Sequence, residues 1–578
     1  MKKDTTKSTH AVKPIIYQLI PRLFANYNSN CVANGSFEQN GSGKLNDINP
    51  TILKNIRELG ATHVWYTGII EHAHTSDYSQ YGIRPHNPHV VKGKAGSPYA
   101  ITDYYDIDPD LAVNVDARIE EFEKLVRRTH RAGLKVIIDF VPNHVGREYF
   151  SDAKPSGIED FGHNDNKGMF FCPANNFYYI TNQKFSPVDV DLGTGQSEYI
   201  EFPARASGDD CFTAFPCKNN WFETVKLNYG IDPWNGSRHF NPIPSTWHKM
   251  VHILLYWARK GVDGFRCDMA HMVPVDFWRW AIPQVKEFNP DIKFIAELYD
   301  VAIYRSYIYD AGFDYLYDKV NLYDTLRTIE TSNVSAANIT SCWQTIDGIQ
   351  THMLNFLENH DEQRFASRFY AGDAMRAVPS LVVSAMISTG PFMLYAGQEL
   401  GEEAEEAEGY SGLDGRTTIF DYWSMERLRR WLNNGRCDGK LTETESKIRS
   451  IYRRVLNLCN SEPAIYRGSF FDLMYVNTDN PDFNPHRQYA FLRAVDDDIL
   501  VIAVNFDNRD VQSQINIPAH AFEHLAINQG IAQCTDLLSQ HKSTKTISSD
   551  QPFATHIPAN GAVVWKIKNS TIQSFDKQ

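Results

Sequence analysis

No stretch of the 578 residues reaches the roughly 20 consecutive apolar positions of a membrane helix. The opening MKKDTTKSTHAVKP has basic residues but no apolar run behind them, so it does not read as a secretory signal. Positive charge is short as well: 57 Lys and Arg face 70 Asp and Glu, for a formal charge of −13. Such a chain lacks the basic footprint that phosphate backbones require. Cysteine is sparse at nine, an odd number with no close-spaced metal pairs. Cys211 and Cys217 are near enough in sequence to pair, and most of the others read as free thiols. These absences predict a cytoplasmic protein with neither nucleic acid nor a membrane as partner.

What is present is a globular composition, 42% apolar and 22% charged, with aromatics high at 13%. Part of that aromatic content is core, and part suits platforms for a ring-shaped ligand. The length exceeds one ordinary domain. One phrase recurs: an amphipathic helix, a Gly, then a short apolar strand. In PTILKNIRELGATHVWYTG, Ile52, Ile56 and Leu59 share a helical face and Gly60 ends it. Ile119, Phe122 and Val126 repeat the pattern before Gly133 and KVIIDF. Met250, Ile253, Leu254 and Trp257 repeat it before Gly261 and VDGFRCD. Alternation of this kind indicates βαβ units and a parallel sheet.

Eight runs qualify as strands: PIIYQLI, THVWYTG, KVIIDFV, VDGFRCD, IKFIAEL, FDYLYDK, HMLNFLEN and PFMLYAG. Eight βα units predict an α/β fold, a closed (β/α)8 TIM barrel with its active site at the C-terminal strand ends. The first strand is not followed by a Gly-rich nucleotide loop, which argues against a doubly wound open sheet. Between the third and fourth strands the chain runs from residue 141 to 261, where a crossover needs about 30 residues. Its middle is rich in Asn, Asp, Gly, Pro and aromatics without helical period. The expected organisation is an N-terminal tail (1–13), the barrel (14–144 and 236–466), an inserted irregular domain (145–235) and a C-terminal antiparallel β-sandwich (467–578). The last rests on GSFFDLMYV, QYAFLRAV, DILVIAVNF and GAVVWKI, short strands separated by turn residues.

Arg266 and Asp268, in GVDGFRCDMAH, lie two apart and share one face of a strand. Alone, they favour a structural ion pair. Further acids stand near other strand ends: Asp139 in IIDFVPNH, Glu297 in FIAELYD and Asp361 in FLENHDEQR. Acids from several strands at one barrel level point to a shared site. Arg266 favours an ionised Asp268, as a nucleophile requires. Glu297 has no basic neighbour in sequence, and an apolar pocket raises a carboxyl pKa, as a general acid requires. One ionised and one protonated acid is the pairing of glycoside hydrolysis. His144 and His360 are suited to hydrogen-bond sugar hydroxyls.

These segments resemble the α-amylase family of retaining glycoside hydrolases and transglycosidases, whose four motifs appear in order as DFVPNH, GFRCDMAH, FIAEL and FLENHD. The resemblance covers about residues 14 to 465. It implies Asp268 as nucleophile, Glu297 as general acid/base, and Asp361 as a ligand of the sugar hydroxyls that helps distort the ring. His144, Arg266 and His360 are implied in the same subsite, Tyr99 as an aromatic platform, and Asp103 as a barrel-stabilising acid. KLN in ETVKLNYG resembles the fifth motif of the neopullulanase and cyclomaltodextrinase branch. The first strand begins too early for that branch's N-terminal dimerising domain, so a monomer is expected. His271 stands where many relatives keep a Lys on the leaving-group side. The family also raises Ca²⁺, with Asn143 and the Asn26 and Asn28 of RLFANYNSN as ligands. An Asn-rich turn explains that loop equally well, since hard cations prefer carboxylates.

The implied activity is hydrolysis of α-1,4 bonds in α-glucans with retention, which sets the two carboxyls about 5–5.5 Å apart. A transglycosidase, or a cyclomaltodextrinase or neopullulanase, would use the same residues. A non-catalytic glucan-binding relative is the remaining alternative. The preferred glucan is expected to depend on residues 145–235 and on the acidic segment GEEAEEAEGYSGLDGR.

Overall fold

A computed structural model of the chain describes residues 12–575. Most of the tail expected over 1–13 lies outside the described residues. All eight expected strands form and close a barrel. They are β1 (Ile15–Leu19), β2 (His63–Tyr66), β3 (Lys135–Phe140), β4 (Gly264–Cys267), β5 (Lys293–Ala296), β6 (Tyr315–Tyr317), β7 (Met353–Phe356) and β8 (Phe392–Tyr395). Neighbours in sequence are neighbours in the ring, all parallel, and β8 returns to β1.

The strand pleat sorts the side chains. Ile16, Trp65, Ile137, Ile295, Leu354, Phe356 and Met393 fill the barrel interior. Their neighbours in sequence, such as Phe140, Phe265, Cys267 and Phe294, join the larger core under the helices. Helix Pro50–Leu59 buries Ile52, Leu53, Ile56 and Leu59, and Asn49 caps it by accepting from the amides of Thr51 and Ile52. It stops at Gly60, whose φ of 116° is open only to glycine, and a Cβ there would come within 2.8 Å of Leu456. Helices Arg118–Arg131 and Ser245–Arg259 bury the faces expected of them, with Ile119 only half-buried at its edge.

The segment after β3 forms no α-helix until Ser245. It is tied down by short antiparallel pairs: His144–Gly146 with Thr224–Lys226, and Tyr179–Ile180 with Ala204–Arg205. A small core of its own includes Ile180, Phe185, Tyr199, Ala204, Ala214 and Phe222. Beside it Glu201 pairs with Arg147 at 2.8 Å and with Arg205 at 2.6 Å. Those two guanidiniums hold the Glu201 carboxyl down at about 2 against its burial.

The C-terminal region is a six-stranded antiparallel sheet backed by the pair Val511–Ile515 and Phe553–Ile557. Four strands were legible in sequence. Val511–Ile515, Gly530–Asp536, Lys542–Ile547 and Phe553–Ile557 were not, because VQSQI, GIAQCTD and KSTKTI are polar, half-exposed strands with little apolar signal. All nine cysteines are free thiols, so Cys211 and Cys217 are not paired. Among the described residues no helix is long and apolar enough to cross a membrane.

Candidate active site

The barrel register builds the site. Across β3 and β4, Arg266 stands opposite Asp139. Across β4 and β5, Cys267 stands opposite Ala296. The ladder continues one step further, with the Glu297 amide donating to the Cys267 carbonyl at 3.1 Å and that of Asp268 to Phe140 at 2.9 Å. Asp268 and Glu297 therefore end neighbouring strands at one level. The next residue, Met269, is forced into left-handed backbone at φ 42° and donates its amide to Glu297 Oε2 at 2.8 Å.

Arg266 lies beneath these acids, 1% exposed. Its Nη1 meets Asp268 at 2.8 Å and Asp139 at 3.6 Å, and its Nη2 meets Glu297 at 2.9 Å. Its Nε donates to the Tyr317 hydroxyl at 3.2 Å, and the rings of Trp65, Tyr99 and Tyr317 surround it at 5.3 to 5.5 Å. One cation thus serves three buried carboxylates. Burial, then the charge of Glu297, pushes Asp268 well above the usual carboxylate range, with Arg266 opposing. Burial pushes Asp139 up to about 6, and burial with Glu297 pushes Asp361 up to about 7.

Above this layer opens a cavity of about 310 Å³ lined by Tyr99, His144, Trp221, Asp268, Glu297, Tyr299 and Asp361, with Lys92, Glu223 and Phe420 among its other walls. His144 is held neutral, its pKa lowered to about 3 by burial and by Lys226 and Lys92. It packs against Trp221 at 5.2 Å. Tyr299 donates to Glu297 Oε1 at 2.5 Å. A relay runs underneath. Gln18 Nε2 donates to His360 Nδ1 at 2.7 Å, which puts the ring proton on Nε2, facing the Tyr99 hydroxyl and, at 3.1 Å, Asp361. Tyr99 in turn donates to Asp139 at 3.4 Å.

A barrel with three acids at adjacent strand ends is compatible with more than one chemistry, and likeness to known proteins narrows it. The family model of the alpha amylase catalytic domain matches residues 18–189 and 242–430. This chain belongs to the alpha-amylase family. The model of the family's C-terminal all-beta domain matches residues 478–568. Alpha-amylase 2 of Dictyoglomus thermophilum is 20% identical over 74% of this chain and 61% of its own length. Neopullulanase 2 of Thermoactinomyces vulgaris is 23% identical over 68% of this chain and 57% of its own length. The chain thus spans about three-fifths of these relatives. The crystal structure of a maltogenic alpha-amylase, AmyB of Thermotoga neapolitana, superposes with a TM-score of 0.62 at 18% identity, covering 96% of this chain and 99% of the other.

Within this family member, Asp268, Glu297, Asp361, Tyr99 and His144 meet in one cavity. Three other expected contacts are displaced. Arg266 and His360 lie under the cavity floor, fully buried, and reach it only through the acids and Tyr99. His271 is half-buried, edge-on to Tyr299 at 6.0 Å, outside the lining. The expectation that Glu297 sits in an apolar pocket without a basic partner is overturned: Arg266 and Tyr299 both bond it. Tyr299 and Trp221 were missed. Tyr299 was within reach, standing two residues from Glu297 as Arg266 stands from Asp268, whereas Trp221 arrives from the insertion and carries no local signal.

The asparagines do not fit a calcium ion. Asn26 donates its amide to the carbonyls of Asn40, Gly41 and Trp423 and gives its oxygen to the Asn28 amide. Asn28 gives its own oxygen to the Asn30 amide at 2.9 Å. Asn143 accepts from the Lys226 ammonium, which also pairs with Asp210 at 2.6 Å and the Met272 carbonyl at 3.2 Å. A buried ammonium already takes the oxygen a divalent cation would need.

Proposed function

We propose that this protein is a retaining glycoside hydrolase that cleaves α-1,4-glucosidic bonds in starch-type glucans or maltodextrins. The observation that carries the reading is the meeting of Asp268, Glu297 and Asp361 in one cavity above Arg266. Neighbouring parallel strands are spaced about 4.8 Å apart. Two acids at one level of such strands suit the short separation of a double displacement, about 5–5.5 Å, rather than the 6.5–9.5 Å that admits a water between them.

In this reading Asp268 attacks the anomeric carbon as Glu297 delivers a proton to the leaving oxygen. The glycosyl–Asp268 ester then breaks as Glu297 takes a proton from water. Tyr299 and the Met269 amide hold Glu297 in place through both steps. Tyr99 stacks under the reacting sugar, and neutral His144 and Asp361 engage its hydroxyls. Arg266 balances the negative charge that alternates between the two acids. It does so without moving, which is how a preorganised site lowers a barrier.

The test is a digest of starch, maltodextrins, cyclodextrins and pullulan, with the anomer of the first product read by NMR. An α-anomer is expected, from α-1,4-linked substrates foremost. A β-anomer formed first would refute double displacement. Longer oligosaccharides at high maltodextrin concentration would move the assignment to a transglycosidase.

A further inference from the structure

Away from the cavity, three carboxylates from three separate segments converge. Glu71 lies on the strand Ile70–His72, Asp106 on the strand Ile101–Ile107, and Asp152 at the start of the inserted segment. One carboxylate oxygen from each lies within 4.8 Å of the others. Acidic groups gather on many surfaces without consequence, but Glu71 is different. It is 3% exposed, and its Oε2 is buried with no hydrogen-bond partner among the described residues. Leaving a buried carboxylate oxygen bare is costly. Its other oxygen has one contact, Thr102 Oγ1 at 3.3 Å. Nearby acids add to the cost: after burial, Asp103, Asp106 and Asp152 are the largest influences raising the Glu71 pKa.

The local charge does not balance. Arg118 is the cation bonded to the cluster, with its Nε on Asp106 at 2.8 Å. Lys154 is turned to Asp160 at 2.9 Å. Three carboxylates against one guanidinium leave a formal charge of two negatives. Asp103, next door, needs nothing further: it accepts from the Tyr105 amide at 2.8 Å, the Ser151 hydroxyl at 2.6 Å and the Ala153 amide at 3.0 Å. The Ser151 hydroxyl and the Ala153 amide tie the residues on both sides of Asp152 to Asp103, so the third carboxylate is positioned and not merely nearby. Asp152 itself is exposed and opens the cluster to solvent.

We propose that Glu71, Asp106 and Asp152 bind one hard divalent cation of the calcium class, which clamps the start of the inserted segment to the barrel. An all-oxygen ligand set of carboxylates suits such an ion, whose oxygen contacts run to about 2.3–2.6 Å and whose remaining positions water fills. The ion supplies the partner that Glu71 Oε2 lacks and cancels the two excess charges. The site is separate from Asn143, whose oxygen is committed to Lys226.

The experiment uses the full chain, stripped with EDTA and dialysed. Ca²⁺ binding is followed by titration calorimetry, and Tb³⁺ binding by luminescence sensitised by nearby tyrosines. The thermal midpoint is recorded with and without Ca²⁺. One ion per chain is expected, with a midpoint several degrees higher in saturating Ca²⁺, because a ligand of the native state stabilises it. Glu71→Gln and Asp152→Asn should each abolish both responses, while Asn143→Ala keeps them. Asp152 is exposed, so its variant folds even if a change at Glu71 does not. Absence of saturable binding, or binding that survives in both Glu71→Gln and Asp152→Asn, overturns the proposal. A Glu71→Gln protein that is more stable than wild type, in a chain indifferent to Ca²⁺, would mean that Glu71 holds a proton instead.

Discussion

Replacing Arg266 with Met keeps an unbranched side chain, shorter than that of arginine, and removes its charge. The guanidinium is fully buried and, among the described residues, is the one cation bonded to Asp139, Asp268 and Glu297. Breaking a buried ion pair from one side typically costs about 3–5 kcal/mol, because the partner's charge is left uncompensated. The folded protein can limit this cost by taking up protons. Asp139 already titrates at about 6 with Arg266 present, and without it the value rises further. The Arg266→Met protein therefore binds more protons folded than unfolded across neutral pH, so its stability falls as pH rises. Each such proton contributes about 1.36 kcal/mol per pH unit. The deficit relative to wild type should thus be about 3–5 kcal/mol at pH 7 and about 1.4 kcal/mol smaller at pH 5, because wild-type Asp139, at about 6, already holds its proton for half of that window.

The assay is urea unfolding of both proteins at pH 5 and pH 7, followed by tryptophan fluorescence, with circular dichroism to establish that the variant folds. A deficit below about 1 kcal/mol at pH 7 would refute the claim that the guanidinium compensates these buried charges. An equal deficit at both pH values would refute the proton uptake. Arg266→Lys should recover part of the stability and little of the activity, since an ammonium cannot fork to both acids.

Three further outcomes follow from the same contacts. Tyr299→Phe removes one hydrogen bond to Glu297, worth about 1.5–3 kcal/mol to a charged acceptor, so turnover should fall roughly 10- to 150-fold with the fold unchanged by circular dichroism. In Glu297→Gln the loss should reach about 10²–10⁴-fold on poor leaving groups and far less on an activated aryl glycoside, while Asp268→Asn should be inactive on both, as initial rates on the two substrates will tell. Glu201 is held at about 2, below its ordinary value, so it stabilises the insertion above about pH 4.5 and loses that effect as pH falls through 2. Glu201→Gln should cost about 3 kcal/mol at pH 7 and little near pH 2, read from midpoints of urea unfolding across pH.

The barrel was readable because its signals are local. A helix face, a Gly and an apolar run fall within one short window three times over, and eight candidate strands leave few topologies. The late strands of the C-terminal sheet were not readable, because their edges face water and their burial comes from a distant partner. Val511–Ile515 is positioned by Phe553–Ile557, some 40 residues away, and neither segment announces the other. The insertion is a stronger case. Its fold rests on contacts such as Arg147 with Glu201 and Glu201 with Arg205, which no periodicity encodes.

The two acids show where reading from sequence neighbours fails. Arg266 was assigned to Asp268 because the pair is two residues apart on one strand face, and Glu297 was left without a cation because none is adjacent in sequence. The register corrects this. Residues of β4 stand opposite those of β5, as Arg266 does opposite Ile295. The position two beyond Ile295 is Glu297, as close to the guanidinium as Asp268 is. A fixed cation shared this way cannot by itself make one acid the nucleophile and the other the proton donor, since it stabilises both carboxylates alike. The asymmetry has to come from what differs between them. Glu297 has Tyr299 and the Met269 amide, two donors on top of Arg266, while among the described residues the Asp268 carboxylate has Arg266 alone. Asp268, which lines the cavity, therefore keeps an oxygen that no donor among the described residues occupies, and that oxygen is free to attack. Glu297 is the one whose position is fixed, by Arg266, Tyr299 and the Met269 amide, where it can pass a proton to the leaving oxygen. If that asymmetry sets the roles, removing it in Tyr299→Phe should weaken protonation of the leaving group more than it weakens attack. The loss should then be greater on maltodextrin than on an activated aryl maltoside, and equal losses on the two would show that Tyr299 only holds the fold of the loop.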